Sequence, residues 1–236
     1  MSKLSDQILN ELFEVGDPER ASHSQRFFKT GKGEYGEGDI FLGIRVPRLR
    51  ALAKRYKQAS RQDALEILHS KYHEARLTAL FLLVNLYNHA DASGKKQIYE
   101  DYLENIPFIN NWDLVDSSAL QIVGHYLFDK ERSHLETLAK SEILWERRVA
   151  IIASYYFIRQ YEFRDTLKLS ALLLHDQEDL IHKAVGWMLR EVGNKSRPTE
   201  EEFLKKYYQV MPRTMLRYAI EKFPEEKRQA YLKGEI

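Results

Sequence analysis

Residues 183–191 read KAVGWMLRE. A cation opens the stretch, small and apolar residues follow, and the apolar positions recur at helical spacing. The same order returns along the chain, at Arg76 (RLTALFLLV), Asp116 (DSSALQIV), Arg148 (RVAIIASYY) and Arg217 (RYAIEKF). With Lys183 these make five positions, spaced 40, 32, 35 and 34 residues apart. A period of that length marks an array of HEAT-like helical repeats, each contributing a pair of helices. Equivalent positions of a solenoid line one surface, so the five residues are expected on a concave face. That face is then a row of cations with a single carboxylate, Asp116, set into it. A cationic row suits a polyanion, and a lone acid within it suggests chemistry.

Outward from these positions almost everything reads as helix, and the fold class expected is all-α. The helices pair as 61–70 with 73–88, 93–104 with 111–127, 131–140 with 144–160, 163–175 with 178–193, and 200–210 with 212–223. A last helix near 225–233 closes the array. Earlier helices start near Ser2, Asp17 and Pro47, and Ser60 is a candidate N-cap. One domain is expected over residues 1–236. A glycine-rich insertion at about 28–43 interrupts it, with five of the eleven glycines between 27 and 44. Its flanks are aromatic and apolar without helical period, which predicts a small hairpin or an ordered loop. Gly31, Gly33 and Gly36 match the spacing of a dinucleotide fingerprint, but no buried strand precedes them and no helix opens from them.

Composition narrows the classes. The 36 basic and 35 acidic side chains nearly cancel, so a polyanion partner requires the cations to be segregated on one face. No cysteine is present, which excludes disulfides, zinc–cysteine sites and thiol catalysis and fits a reducing cytoplasm. The N-terminus reads as an amphipathic acidic helix with no signal core, and no apolar run is long enough to span a bilayer. The eight histidines lack metal-ligand spacing. No metal and no cofactor is expected.

Asp116 lies four residues after Trp112, on one helix face. Either it pairs with a cation of the next repeat, Arg148 first, while Trp112 packs, or the two line a cationic groove together. Asp113 is expected as a solvated or first-turn charge. Of the consecutive Arg147 and Arg148, the repeat register selects Arg148. Trp187 follows Lys183 by one turn, either packing or facing the groove, where a ring could stack on a sugar, base or cation. Arg45, Arg48 and Arg50 form a dense basic run after the insertion, and Arg213 lies one turn before Arg217. Lys29, Lys32 and Tyr35 at the insertion tip are further candidates for contact with a nucleic-acid backbone.

Four segments resemble the HEAT-like-repeat DNA glycosylases of the AlkD-like alkylation-repair family. They are FLGIRVPRLR (41–50), NNWDLVD (110–116), WERRVAI (145–151) and HKAVGWMLRE (182–191). The resemblance implies a solenoid with a basic groove for double-stranded DNA, and excision of cationic N3- or N7-alkylated purines. It implies Asp116 as the catalytic carboxylate, Arg148 as a cation near the lesion strand, and Trp112 and Trp187 as aromatic walls around the deoxyribose. Arg76, Lys183 and Arg217 would hold DNA. A cytoplasmic monomer, nucleoid-associated when bound, follows from the same likeness. The chain departs from the family at Asn111, where some members carry a second tryptophan, and in its long insertion. Relatives with a hairpin there favour branched DNA and excise poorly, so a non-catalytic binder of branched or distorted DNA is the alternative function.

Overall fold

The structure is a computed structural model and describes residues 2–236. It is helical outside the glycine-rich segment, and the helix pairs fall where the periodicity places them. Contacts divide the chain into two compact units, one ending at Ser118 and one running from Ala119 to Ile236.

In the first unit, α1 (Lys3–Glu14) is capped by Ser2 and α2 (Pro18–Phe27) by Asp17. The chain then runs through the glycine-rich segment into α3 (Val46–Arg55). Next come α4 (Arg61–Leu68), α5 (His73–His89), α6 (Ala92–Glu104) and the short α7 (Trp112–Asp116). Ser60 caps α4 in a reciprocal box: its hydroxyl accepts the Asp63 N–H, and the Asp63 carboxylate accepts the Ser60 N–H. Helix α5 is the hub, packed by α1, α3, α4, α6 and α7. Leu12, Leu49, Leu68, Leu80 and Leu83 close this core. Almost every residue of α5 from His73 to Leu83 is buried, including the polar His73, Glu74, Arg76 and Thr78. Such burial requires partners for each polar group.

The Thr78 hydroxyl donates to the Glu74 carbonyl of its own helix, while the glycine-rich segment supplies partners to His73, Glu74 and Arg76. No strand ladder forms in it, so the hairpin expected over 28–43 is instead an ordered loop of successive turns. A single bridge links Ile40 to Tyr72. Two glycines with φ of 78° and 85°, Gly33 and Gly38, turn the chain where another residue would be strained. Glu34 and Glu37 accept the N–H groups of Gly31 and Gly33, both at 2.8 Å, so local side chains satisfy donors that a partner strand would otherwise take.

In the second unit, a π-helical turn (Leu120–Gly124) leads into α8 (His125–Leu127). Then follow α9 (Ser133–Ala139), α10 (Leu144–Ala153), α11 (Tyr155–Arg159), α12 (Arg164–Leu172), α13 (Asp179–Lys195), α14 (Arg197–Tyr207), α15 (Arg213–Ala219) and α16 (Glu225–Lys233). Helices α10, α13 and α15 pack in succession as one layer, with α9 and α12 packed together as another. The single helix expected over 111–127 is thus broken. After α7 the Ser118 hydroxyl donates to the Leu114 carbonyl at 2.6 Å, and the π turn follows.

Two glycines set close approaches in this unit, Gly124 of the π turn against α10 and α11 and Gly186 of α13 against α15. A Cβ on Gly124 would lie 2.2 Å from the Ala153 carbonyl oxygen and 2.8 Å from Tyr156 Cβ. One on Gly186 would lie 2.4 Å from the Met215 carbonyl oxygen and 2.5 Å from Tyr218 Cβ. The offsets are identical, 29 residues to the carbonyl and 32 to the tyrosine. Backbone meets backbone there, so a methyl group has nowhere to go. Gly186→Ala is expected to destabilise the protein by about 1–3 kcal/mol despite the better helix propensity of alanine, measured by urea denaturation.

Candidate functional site

Asp116 ends α7, one turn after Trp112, and both side chains are half-buried. The helix begins at Asn111, which is fully buried and whose side-chain oxygen accepts the Trp112 N–H at 2.8 Å. Beneath the C-terminal end, the Tyr102 hydroxyl donates to Ser118 at 3.0 Å. Burial pushes the Tyr102 phenol well above its ordinary pKa, and the charge of Asp116 adds to that rise. The phenol therefore stays a neutral donor, tying down the turn that follows Asp116.

Asp113 is not a solvated charge. Its Oδ2 takes a hydrogen bond from His73 Nε2 at 2.8 Å, and on the other side of the ring His73 Nδ1 meets Asp39 Oδ2 at 3.0 Å. Burial works to deprotonate His73, but the Asp113 charge and the bonds to both carboxylates prevail and raise its pKa to about 9. Burial likewise works to neutralise Asp39; the His73 bond and the Arg76 charge outweigh it and hold that carboxyl below its usual range. The two carboxylates balance the imidazolium and the guanidinium. Asp113 is bound to His73, and Asp116 closes the same helix.

Arg76 is the first correction to the expected row. It is 5% exposed and ion-paired with Asp39, with a further bond of 3.2 Å to the Ser70 carbonyl, so it is not a DNA contact. The repeat register identified its position on the helix, but Asp39, 37 residues away, turned it inward. Arg148, in the second unit, is the other. It is 4% exposed and donates to the Leu180 carbonyl at 2.6 Å, so it lies beneath the surface rather than lining it.

Of the other cations expected at the site, Lys183 is half-buried and the rest are exposed. Arg45, Arg48 and Arg50 stand at the start of α3 and along it, Arg50 lying over the Phe81 ring at 4.2 Å. In the second unit Lys183 pairs with Asp179 at 2.7 Å on a solvated face. Arg213 donates to the Leu232 carbonyl at 2.8 Å, and Arg217 is exposed. Trp187 is half-buried; its indole N–H donates to Glu191 at 3.0 Å, and its ring lies 5.8 Å from that of Tyr155. In the glycine-rich loop Lys29 and Lys32 are exposed and Tyr35 is half-buried. Lys29 and Lys32 share the loop with Glu34, Glu37 and Asp39, so the loop carries no net positive charge.

Missed in the sequence were His73, Asp39, Asn111 and Tyr102. One signal was available: HEAR (73–76) runs straight into an apolar stretch with no polar face to hold those charges.

Stacked pairs of helices define an α-helical repeat protein, and one of those helices carries a tryptophan and a carboxylate one turn apart. The model of the family described as DNA alkylation repair enzyme matches residues 8–223, and the chain belongs to that family. Among solved structures, a predicted DNA alkylation repair enzyme from Enterococcus faecalis is similar in fold, with a TM-score of 0.68 at 18% identity. The match covers 89% of this chain and 97% of that one. A comparison with curated proteins finds no match. No helix among the described residues is long and apolar enough to cross a membrane.

Proposed function

We propose that the protein is a DNA glycosylase that hydrolyses the N-glycosidic bond of cationic N3- or N7-alkylated purines in duplex DNA. The observation that carries this is Asp116 itself: a half-buried carboxylate one turn from Trp112, in a chain of the DNA alkylation repair family, while its neighbour Asp113 is consumed by His73. An alkylated purine is already positively charged and leaves without a general acid. Water adds at C1′, the bond from C1′ to the ring nitrogen breaks, and its electron pair neutralises the departing base; the water proton passes to solvent. Asp116 stabilises the oxocarbenium-like sugar formed on the way, as glycosidase carboxylates do. No cofactor or metal enters this sequence.

Exposed cations hold the phosphates. Binding is therefore expected to weaken steeply with salt, and Arg217→Ala to reduce the slope of log affinity against log salt by about one. Fluorescence anisotropy at several salt concentrations measures it. The function is tested by incubating the protein with duplex DNA containing 7-methylguanine and measuring released base. A second reading, non-catalytic binding of branched DNA, draws on the exposed Lys29 and Lys32 of the loop. It takes the place of the first if the protein binds branched DNA and releases nothing.

A further inference from the structure

The polar network around His73 and the rings beside it converge on one element, α7. From the loop, Asp39 accepts from His73, from Arg76 and, at 3.1 Å, from the side-chain amide of Asn111, the residue that caps α7. From α5, His73 donates to Asp113 in the first turn of α7. Its two carboxylate partners accept on opposite ring nitrogens, a geometry that needs the doubly protonated ring. The aromatic contacts run the same way. His73, Phe41 and Phe28 form a cluster with centroids 4.4–5.1 Å apart. Trp112 stacks on Phe28 at 5.2 Å and 12° between planes. Further along the loop Glu74 accepts the N–H groups of Leu42, Gly43 and Ile44 at 2.7–3.2 Å, fastening its C-terminal end to α5.

We propose that Asp39, His73 and Phe28 are positioning residues that fix the N-terminus of α7 and the ring of Trp112, making the glycine-rich loop a brace for the Trp112–Asp116 pair. None of the three needs to touch DNA. A helix of five residues cannot hold itself in water, since nucleation outweighs so few hydrogen bonds. Its order must come from what grips it: the loop grips the cap and the tryptophan face, and His73 of α5, itself held by Asp39 of the loop, grips the first turn. The network is charge-balanced, so removing one member leaves an uncompensated buried charge. The catalytic meaning of the brace rests on the proposed role of Asp116 and Trp112.

The test is hydrogen exchange on the full chain. In Asp39→Asn the amides of residues 112–117 should exchange at least about tenfold faster, while α4 of the same unit keeps its protection. Phe28→Leu, which keeps apolar volume but removes the ring, should loosen the same amides. Lys32→Ala, at the loop tip, should change neither. Unaltered α7 exchange in both Asp39→Asn and Phe28→Leu, or equal loosening of α4, overturns the brace. This readout is independent of base release: a wild type that excises nothing removes the enzyme reading and leaves the brace to be decided by exchange. Where the wild type is active, Phe28→Leu should lower kcat by about tenfold or more with KM within about twofold. A raised KM with kcat retained overturns the positioning role.

Discussion

If the protein is the glycosylase proposed, replacing Asp116 by Asn is expected to lower release of 7-methylguanine from methylated duplex DNA by about a hundredfold, close to 3 kcal/mol of lost transition-state stabilisation. The substitution keeps the shape and removes the charge. What is lost is attraction between a carboxylate and a sugar that becomes cationic only as the bond breaks, so kcat falls and substrate binding does not. DNA affinity is unchanged or slightly tighter, because one negative charge leaves a surface that binds phosphates. The measurement is single-turnover base release alongside anisotropy on the same duplex. A purely structural Asp116 gives the opposite pattern: a lower melting temperature and weaker DNA binding, with release falling only in proportion. The corresponding change at Asp113 cannot make this distinction, since it breaks the bond to His73 and disturbs the packing of α7.

The second large effect is remote from the chemistry. Glu200 is 1% exposed in the first turn of α14, and burial raises its pKa to about 8 against the weaker pull of Arg197, 3.8 Å away. The folded protein thus keeps a proton on Glu200 at neutral pH that the unfolded chain, with an ordinary carboxyl, has released. Folding takes up a proton, so this group costs stability increasingly as pH rises from about 4.5 to about 8, and the cost is constant above that. Glu200→Gln keeps the shape without the titration. It should raise stability by on the order of 2 kcal/mol at pH 8.5 and leave it nearly unchanged at pH 4.5. Urea denaturation of both proteins across that range checks it; parallel curves would show that Glu200 does not titrate in the window. Because the difference between the two proteins is read, the titration of His73 cancels.

How far the sequence carries can be judged at particular residues. Ser60 as a cap, Pro47 in a first turn and the breaks between helix pairs were legible, because capping and periodicity are settled within a few neighbours. The glycine-rich segment resisted because its order is imposed from afar: Glu74 reaches Leu42–Ile44, and His73 and Arg76 reach Asp39, across 30 or more residues of chain. The repeat register located Arg76 and Arg148 on their helices but could not say which way a long side chain turns at its end. For each, an inward acceptor decided, the Asp39 carboxylate in one case and the Leu180 carbonyl in the other. Asp116 and Trp112 stood out in the pattern; the groups that hold their helix did not, since no local spacing links residue 39 to residue 111.

The matched glycines of the second unit bear on anyone who would build new proteins from these repeats. Choosing residues by helix propensity would write alanine at both Gly124 and Gly186. At each of them the missing methyl is what lets the backbone rest on a carbonyl 29 residues further along the chain. A consensus array made with alanine would have to space its helices more widely, and would not reproduce the pitch of the original.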